Sequence, residues 1–443
     1  MHYFIITYGC QMNKSDSERI AAVLENIGIK SALNINRADL IVVNMCSVRQ
    51  SAVDRVYGLI PKFDKLKKKK SGLKTLLTGC ILAQDKKKLK GKFDLIFNIK
   101  ELPNLSKLLF VKSGISLRSQ LYSASRYDSY LKIPPLYSSL FSAYVPIMTG
   151  CNNFCSYCVV PYVRGREFCR PVKEIIQEVK HLVKNGYKEI ILLGQNVNSY
   201  SWNMKHGTWN RINFPKLLKM VNDIPGKFWI RFITSHPKDL SDELVDTMAN
   251  CEKVCEYLHL PIQSGDNQIL KKMNRGYTRQ HYQKLIDKIR QKIKNISIST
   301  DIIVGFPSET EKQFENTAKL MRWARFDMAY IARYSPRTGT RATKMKDNVS
   351  GVEKKWREKI LTEIFAKTAL KNNKKYIGKT IQILLETKRN EYFYGKTRTF
   401  KNVRITTNYE SDTNIQIKTG EFCKVKIISA TPWGLAGEFS QAP

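Results

Sequence analysis

The sequence predicts an α/β chain in three parts: an N-terminal doubly wound parallel sheet, a central partial (βα)6 barrel of the TIM type, and a small OB-like all-β barrel at the C-terminus. Three observations predict it. Apolar runs with little internal alternation recur between helical stretches in the first quarter of the chain, the pattern of parallel strands covered on both faces. From Ser142 onward, six strand patterns and six helix patterns alternate strictly. After Ile377 the helical periodicity gives way to short β-rich runs separated by charged turns.

In the first part, Tyr3–Tyr8, Asp39–Asn44, Leu73–Thr78 and Asp94–Asn98 read as strands. Ser15-Asp16-Ser17-Glu18 has the form of a capping box opening a helix through about Ile27, a second helix starts at Ser51, and Asn104–Phe110 closes the unit. The first three strands each run into a cysteine, and Cys10, Cys46 and Cys80 lie 36 and 34 residues apart, one βαβ unit each time. That phase puts three thiols on the carboxyl edge of one sheet, where open α/β sheets bind ligands. A single cysteine there would read as a small buried hydrophobe. Three in phase with the fold read as ligands of a 4Fe-4S cluster with one iron left open. The lysine-dense stretches Lys62–Lys70 and Lys86–Lys92 read as solvated faces. Val111–Leu140 is rich in Ser and Tyr and weakly periodic, which divides the chain into a first domain over 1–115, a linker over 116–136, a core over 137–372 and a tail over 373–443.

The core opens with Ser142–Thr149, a strand that runs into Gly150-Cys151-Asn152-Asn153-Phe154-Cys155-Ser156-Tyr157-Cys158. Structural zinc wants four tetrahedral ligands, and no fourth cysteine stands at finger spacing. Three thiolates within one short loop suit a second 4Fe-4S cluster on Cys151, Cys155 and Cys158, again with one iron free for chemistry. The C-x3-C-x2-C spacing resembles the radical S-adenosylmethionine (SAM) enzymes. The resemblance implies that the open iron chelates SAM, that an electron from the cluster splits SAM to a 5′-deoxyadenosyl radical, and that Tyr157 lies beside the cofactor.

The remaining core strands are Glu189–Gly194, Phe228–Ser235, Tyr257–Ile262, Ile296–Gly305 and Met328–Ser335. They alternate with helices over Val172–Asn185, Phe214–Ile224, Ser241–Asn250, Thr278–Ile293, Glu311–Ala324 and Gly351 to about Tyr376. Catalytic groups in such barrels collect at the carboxyl ends of the strands. Gln195, Asn196, Ser235 and Gln263 stand there and offer the amides and hydroxyls that a polar cofactor such as SAM needs. Leu193-Gly194-Gln195-Asn196-Val197-Asn198-Ser199-Tyr200, Ser235-His236-Pro237, His259-Leu260-Pro261-Ile262-Gln263-Ser264-Gly265, Asp301-Ile302-Ile303-Val304-Gly305-Phe306-Pro307 and Tyr334-Ser335-Pro336-Arg337-Thr338-Gly339-Thr340 sharpen the resemblance. It is to the radical-SAM methylthiotransferases, over essentially the whole chain, and most to the branch that forms 2-methylthio-N6-isopentenyladenosine in tRNA. Cys169 and Thr338 depart from the family pattern, where serine and proline are expected. Cys251 and Cys255 form a C-x3-C pair that reads as packing.

In the tail, Lys379–Glu386, Tyr392–Thr397, Val403–Thr407, Glu421–Ser429 and Leu435–Phe439 fit a five-stranded barrel, with Cys423 packed inside. Such barrels commonly bind oligonucleotides, and the resemblance makes this one a TRAM domain, implicated in RNA binding. Basic and aromatic residues interleave from Tyr392 to Lys401, so Lys396, Arg398 and Lys401 are the expected RNA contacts. The chain carries 75 Lys and Arg against 38 Asp and Glu, a formal charge of +37, which suits a polyanionic partner. It has no apolar stretch long enough for a transmembrane helix, and Met1–Cys10 lacks the basic start of a signal peptide. Ten cysteines without an export signal point to reduced thiols and metal.

The expectation is a cytoplasmic, monomeric enzyme with no membrane partner. By resemblance it uses SAM twice, once as methyl donor to sulfur and once as radical source, with two 4Fe-4S clusters, an electron donor such as flavodoxin or ferredoxin, and a sulfur donor. The rival targets are threonylcarbamoyl-adenosine in tRNA and a ribosomal-protein aspartate. A rival of another class is a redox-sensing iron–sulfur protein that binds RNA.

Overall fold

The computed structural model describes residues 1–113, 129–203, 211–406 and 418–440. Its first unit is built on one strand, Leu40–Cys46, buried at every position. Leu40 and Val42 pack with Ile20 and Leu24 of the helix Gln11–Asn26, while Ile41 and Val43 pack on the opposite face with Val53, Val56 and Phe63 of the helix Gln50–Lys69. Burial on both faces is why this strand shows no polar alternation. The five strands are all parallel, in the spatial order Lys30–Ser31, His2–Tyr8, Leu40–Cys46, Lys74–Cys80, Leu95–Ile96. The winding reverses between His2–Tyr8 and Leu40–Cys46, the place where open α/β sheets leave a crevice beyond their strand ends.

Two sequence expectations change here. The first helix starts at Gln11, because Cys10 and Asn13 form the reciprocal capping pair and leave Ser15 and Asp16 buried inside the helix. Part of the expected linker is core: Tyr130, Leu131 and Ile133 are buried against Leu102 and Leu105 of the first unit. Residues 114–128 of that segment lie outside the described residues.

The core holds six parallel strands in chain order. Ser142–Pro146, Glu189–Leu193 and Trp229–Ile233 form one group, and Tyr257–His259, Ser297–Val304 and Met328–Arg333 the other. An isolated bridge between Ile230 and Val254, just before Tyr257, sets the two groups side by side. The first and last core strands do not pair, so the barrel is open on one side, as the six-unit count implies. After Pro146 the chain bends into Met148–Thr149, which pairs antiparallel with Phe168–Cys169 and pinches off the loop between them.

The tail is a closed barrel in the order Thr380–Arg389, Tyr392–Thr397, Asn402–Thr406, Gly434–Phe439, Phe422–Thr431. Ile383, Phe393, Val403, Cys423, Val425 and Leu435 fill it. It docks where the core strands begin: Phe422 packs on Trp229 at 4.7 Å between ring centroids, and Phe400 stacks on Tyr257 at 4.5 Å. The described residues include no helix long and apolar enough to cross a membrane.

Candidate functional site

The pinched-off loop carries Cys151, Cys155 and Cys158. Gly150 enters it with φ of +79°, and a Cβ there would collide with the carbonyl oxygen of Arg166. Cys151 N–H donates to the Gly165 carbonyl at 3.1 Å, and Ser156 N–H donates to the Met273 carbonyl at 3.0 Å. Each sulfur also accepts a donor: Cys151 from Asn153 N–H at 3.5 Å, Cys158 from Val160 N–H at 3.5 Å, Cys155 from the Arg275 guanidinium at 3.3 Å. Arg275 is buried and also donates to the Pro261 carbonyl at 2.8 Å, which ties the loop to a neighbouring strand end. Burial pushes the Cys151 thiol up and the Cys158 thiol to about 12, so iron must displace protons to bind.

Cys10, Cys46 and Cys80 meet at the winding reversal. Cys46 and Cys80 are register partners on adjacent strands, and Cys10 caps the helix Gln11–Asn26 that follows His2–Tyr8. A hydrogen bond between the free thiols of Cys46 and Cys80 pushes Cys80 up and Cys46 down, while burial raises Cys10. Asn13 holds the group from beneath, with Nδ2 donating to Asn44 Oδ1 at 2.9 Å and lying 3.9 Å from Cys80 Sγ. A guanidinium from the core reaches in as well: Arg164 Nε donates to Cys80 Sγ at 2.9 Å.

The expected cofactor groups gather at the carboxyl end of the core. Asn196 is buried and donates to Asp239 Oδ2 at 2.7 Å, but its Oδ1 has no partner. Ser235 Oγ and His236 Nε2 are likewise buried and unpartnered. His236 Nδ1 accepts Lys238 N–H at 3.2 Å, which leaves Nε2 carrying the proton. Burial, with Arg275 and Lys238 nearby, holds its pKa down to about 2. Gln195 is half-buried, with its carbonyl taking the Thr234 hydroxyl at 3.0 Å. Gln263 adopts φ of +72° and lines, with Tyr157 and Cys158, a cavity of 910 Å³. Val48, Arg49 and Gln50, just after Cys46, line it as well. Asp301 lines it too, its carboxylate 3.3 Å from His259 Nε2.

Sequence reasoning missed Arg164, Arg275, Asn13 and His236 as parts of the site. Only His236, next to Ser235, carried a signal. The expected RNA contacts in the tail are all engaged in ion pairs. Arg398 makes a bidentate pair with Glu256 at 2.9 and 2.8 Å, and Lys401, buried, pairs with Asp327 at 2.8 Å. Both fasten the tail to the core, because the docking face needs countercharges for its carboxylates. Lys396 pairs with Glu386 inside the tail at 2.7 Å. Cys251 and Cys255 are buried in apolar packing, and Cys169 lies on the return strand, accepting Ser201 N–H at 3.5 Å.

Residues 145–321 match the model of the Radical SAM superfamily, and residues 2–98 match one described as Uncharacterized protein family UPF0004. The chain is 45% identical over 444 residues to the tRNA-2-methylthio-N(6)-dimethylallyladenosine synthase of Caldicellulosiruptor saccharolyticus, covering 98% of this chain and 92% of that one. The chain belongs to the radical SAM methylthiotransferases. The synthase of that name from Acetivibrio thermocellus is 42% identical, over 98% of this chain and 90% of the relative. A solved structure of the radical SAM methyltransferase TsrM from Kitasatospora setae, with cobalamin and a [4Fe-4S] cluster bound, shares the fold at a TM-score of 0.53 and 13% identity, covering 77% of each chain. As a radical SAM methylthiotransferase the protein uses SAM and two 4Fe-4S clusters. The donor sets fit them: two groups of three sulfurs, with N–H donors on Cys80 and on all three of the second group, and a set of buried polar atoms left unsatisfied at the carboxyl end of the core. Among the described residues no three His, Cys, Asp or Glu side chains converge on a single ion. A cubic cluster, with one thiolate per corner iron, asks for sulfurs set apart.

Proposed function

We propose that this methylthiotransferase adds a methylthio group to carbon 2 of N6-dimethylallyladenosine in a tRNA anticodon loop, with Cys10, Cys46 and Cys80 holding one cluster and Cys151, Cys155 and Cys158 the other. The observation that carries it is the 910 Å³ cavity lined both by the turn after Cys46 and by Tyr157 and Cys158. A reacting carbon must meet a sulfur source and a radical source at once, and this cavity is lined by Cys158 of one trio and by the turn that follows Cys46 of the other. When bound, the clusters and SAM supply the electron, the radical and the methylated sulfur.

The chain's own residues bind, orient and exclude water. Asn196, Ser235 and His236 offer an acceptor, a hydroxyl and a neutral N–H to the polar parts of SAM. Ile302, Ile303 and Ile331 give the cavity an apolar surface for the dimethylallyl group, each buried methylene contributing about 0.8 kcal/mol. Asp301, oriented by His259, offers an acceptor to the N6–H of the base. Exposed Arg49 and Arg333 at the cavity suit phosphates. On the tail, exposed Arg404 lies over the Tyr392 ring at 5.0 Å, and this pair joins the RNA-facing candidates because neither side chain is spent on the ion pairs that hold Arg398 and Lys401. The reading extends to a cytoplasmic monomer fed by a flavodoxin or ferredoxin and a separate sulfur donor.

The test offers the reconstituted protein three substrates with SAM and dithionite, then measures nucleosides and peptides by mass: dimethylallylated tRNA, threonylcarbamoylated tRNA and the ribosomal protein. Methylthiolation of the first alone supports the proposal. Product on either of the others, with none on the first, overturns it, and tRNA binding with neither SAM turnover nor transfer to any of the three favours a redox sensor.

A further inference from the structure

We infer that Arg164 is a positioning residue that joins the two cysteine trios mechanically and sets the reduction potential of the first cluster. The inference rests on Cys10, Cys46 and Cys80 being that cluster's ligands, as proposed above.

Arg164 follows Cys158 by six residues, at the end of the one-turn helix Val160–Val163. Its side chain does not stay in the core. It enters the first domain, where it is 2% exposed, and spends its donors on three separate elements: Nε on Cys80 Sγ at 2.9 Å, one terminal nitrogen on Asp16 Oδ2 at 2.7 Å, the other on the Tyr130 hydroxyl at 3.3 Å. Asp16 is equally buried and Tyr130 belongs to the first-domain core. Val163, one residue earlier, packs directly against Cys46 and Cys80. Gly165, one residue later, gives its carbonyl to the N–H of Cys151. One short segment therefore holds a ligand of the first trio through Arg164 and a ligand of the second through Gly165.

A planar guanidinium with several fixed donors can hold this junction, and an ammonium cannot. Hydrogen bonds to ligand sulfurs and the local net charge are what a protein uses to tune an iron–sulfur potential. A buried cation bonded to Cys80 favours the state with the added electron, so Arg164 keeps the first cluster easier to reduce. Asp16 orients the cation and offsets part of its charge.

The test is an anaerobic potentiometric titration of the full chain, followed by electron paramagnetic resonance. The first cluster's signal is assigned with a chain in which Cys151, Cys155 and Cys158 are all changed to Ala. Two variants are compared with the parent: Arg164→Lys, and Asp16→Asn with Arg164→Gln, which leaves no buried carboxylate without a partner. The expected result is a more negative first-cluster potential in both, an unchanged second-cluster potential, and undiminished iron in at least the double variant. An unchanged first-cluster potential at full iron overturns the inference. Equal shifts in both clusters overturn it, since they report general loosening. Loss of first-site iron from both variants also overturns it, since Arg164 would then be an assembly strut only. If a Cys10→Ala, Cys46→Ala, Cys80→Ala chain keeps all its iron, the ligand assignment has failed instead.

Discussion

Arg231 and Glu189, on neighbouring core strands, place Nε and Oε1 2.6 Å apart with both side chains excluded from water. The rest of the guanidinium crosses to the tail, donating to the carbonyls of Arg398 at 2.6 Å and Thr397 at 2.8 Å. Arg231→Met therefore strands a buried carboxylate and two buried carbonyls at once. The expected loss is about 3–5 kcal/mol, read by urea unfolding, with faster proteolysis at the junction after Lys374. Glu189→Gln combined with Arg231→Met should recover part of the stability but not the protection of the junction.

Iron stoichiometry separates the trios. The reconstituted parent should hold about eight irons per chain, four for each cubic cluster. Changing Cys151, Cys155 and Cys158 to Ala should leave about half, and the complementary change at Cys10, Cys46 and Cys80 should leave the other half while still forming 5′-deoxyadenosine with dithionite. Complete loss of iron in either triple variant contradicts two independent sites.

Gly150→Ala tests the loop without touching a thiol. The positive φ and the Arg166 carbonyl leave no place for a methyl group, so the loop must shift away from its hydrogen bond to Gly165. The second cluster should be lost or reduced several-fold by iron analysis, with the first retained. Full retention of both means the loop is more tolerant than its packing indicates.

His236 gives a pH signature. Its folded pKa, about 2, lies below the ordinary 6.5, so between these values the unfolded chain binds a proton that the folded chain refuses. The stability this contributes is present above about pH 6.5 and declines as pH falls, by up to about 1.4 kcal/mol per pH unit. Anaerobic unfolding of the metal-free protein at pH 7, 6 and 5 should show that slope, and His236→Gln should flatten it. The same variant should raise the concentration of SAM needed for half-maximal cleavage, because a buried N–H donor has been exchanged for an amide of different reach.

The architecture was legible because its causes are local. Strand Leu40–Cys46 is apolar throughout because both faces are covered, and the spacing of Cys10, Cys46 and Cys80 follows the βαβ repeat, so the meeting of three distant thiols could be read from the sequence. The loop with Cys151, Cys155 and Cys158 announced itself by spacing alone. Arg164 and Arg275 did not, because nothing in the sequence around an arginine says whether its side chain enters solvent or reaches a sulfur of another element. The tail failed for the same reason in reverse. Alternating basic and aromatic residues identified a strand, but the turn that follows it carries Arg398 and Lys401, and nothing in the sequence showed that this turn meets Glu256 and Asp327 of the core. Tyr130, Leu131 and Ile133 were read as linker because three buried residues carry too little periodicity to mark a core segment.

The docking of the tail by rings and buried ion pairs, rather than by a flexible tether, makes the molecule a ruler. Phe422 on Trp229, Phe400 on Tyr257 and Lys401 on Asp327 fix the tail barrel at the amino ends of the core strands, while the cavity lies at the carboxyl ends. An RNA gripped by the tail would meet the cavity at one offset along its length. Which nucleotide of a loop reacts would then be decided by the span of the core barrel, before any base is inspected.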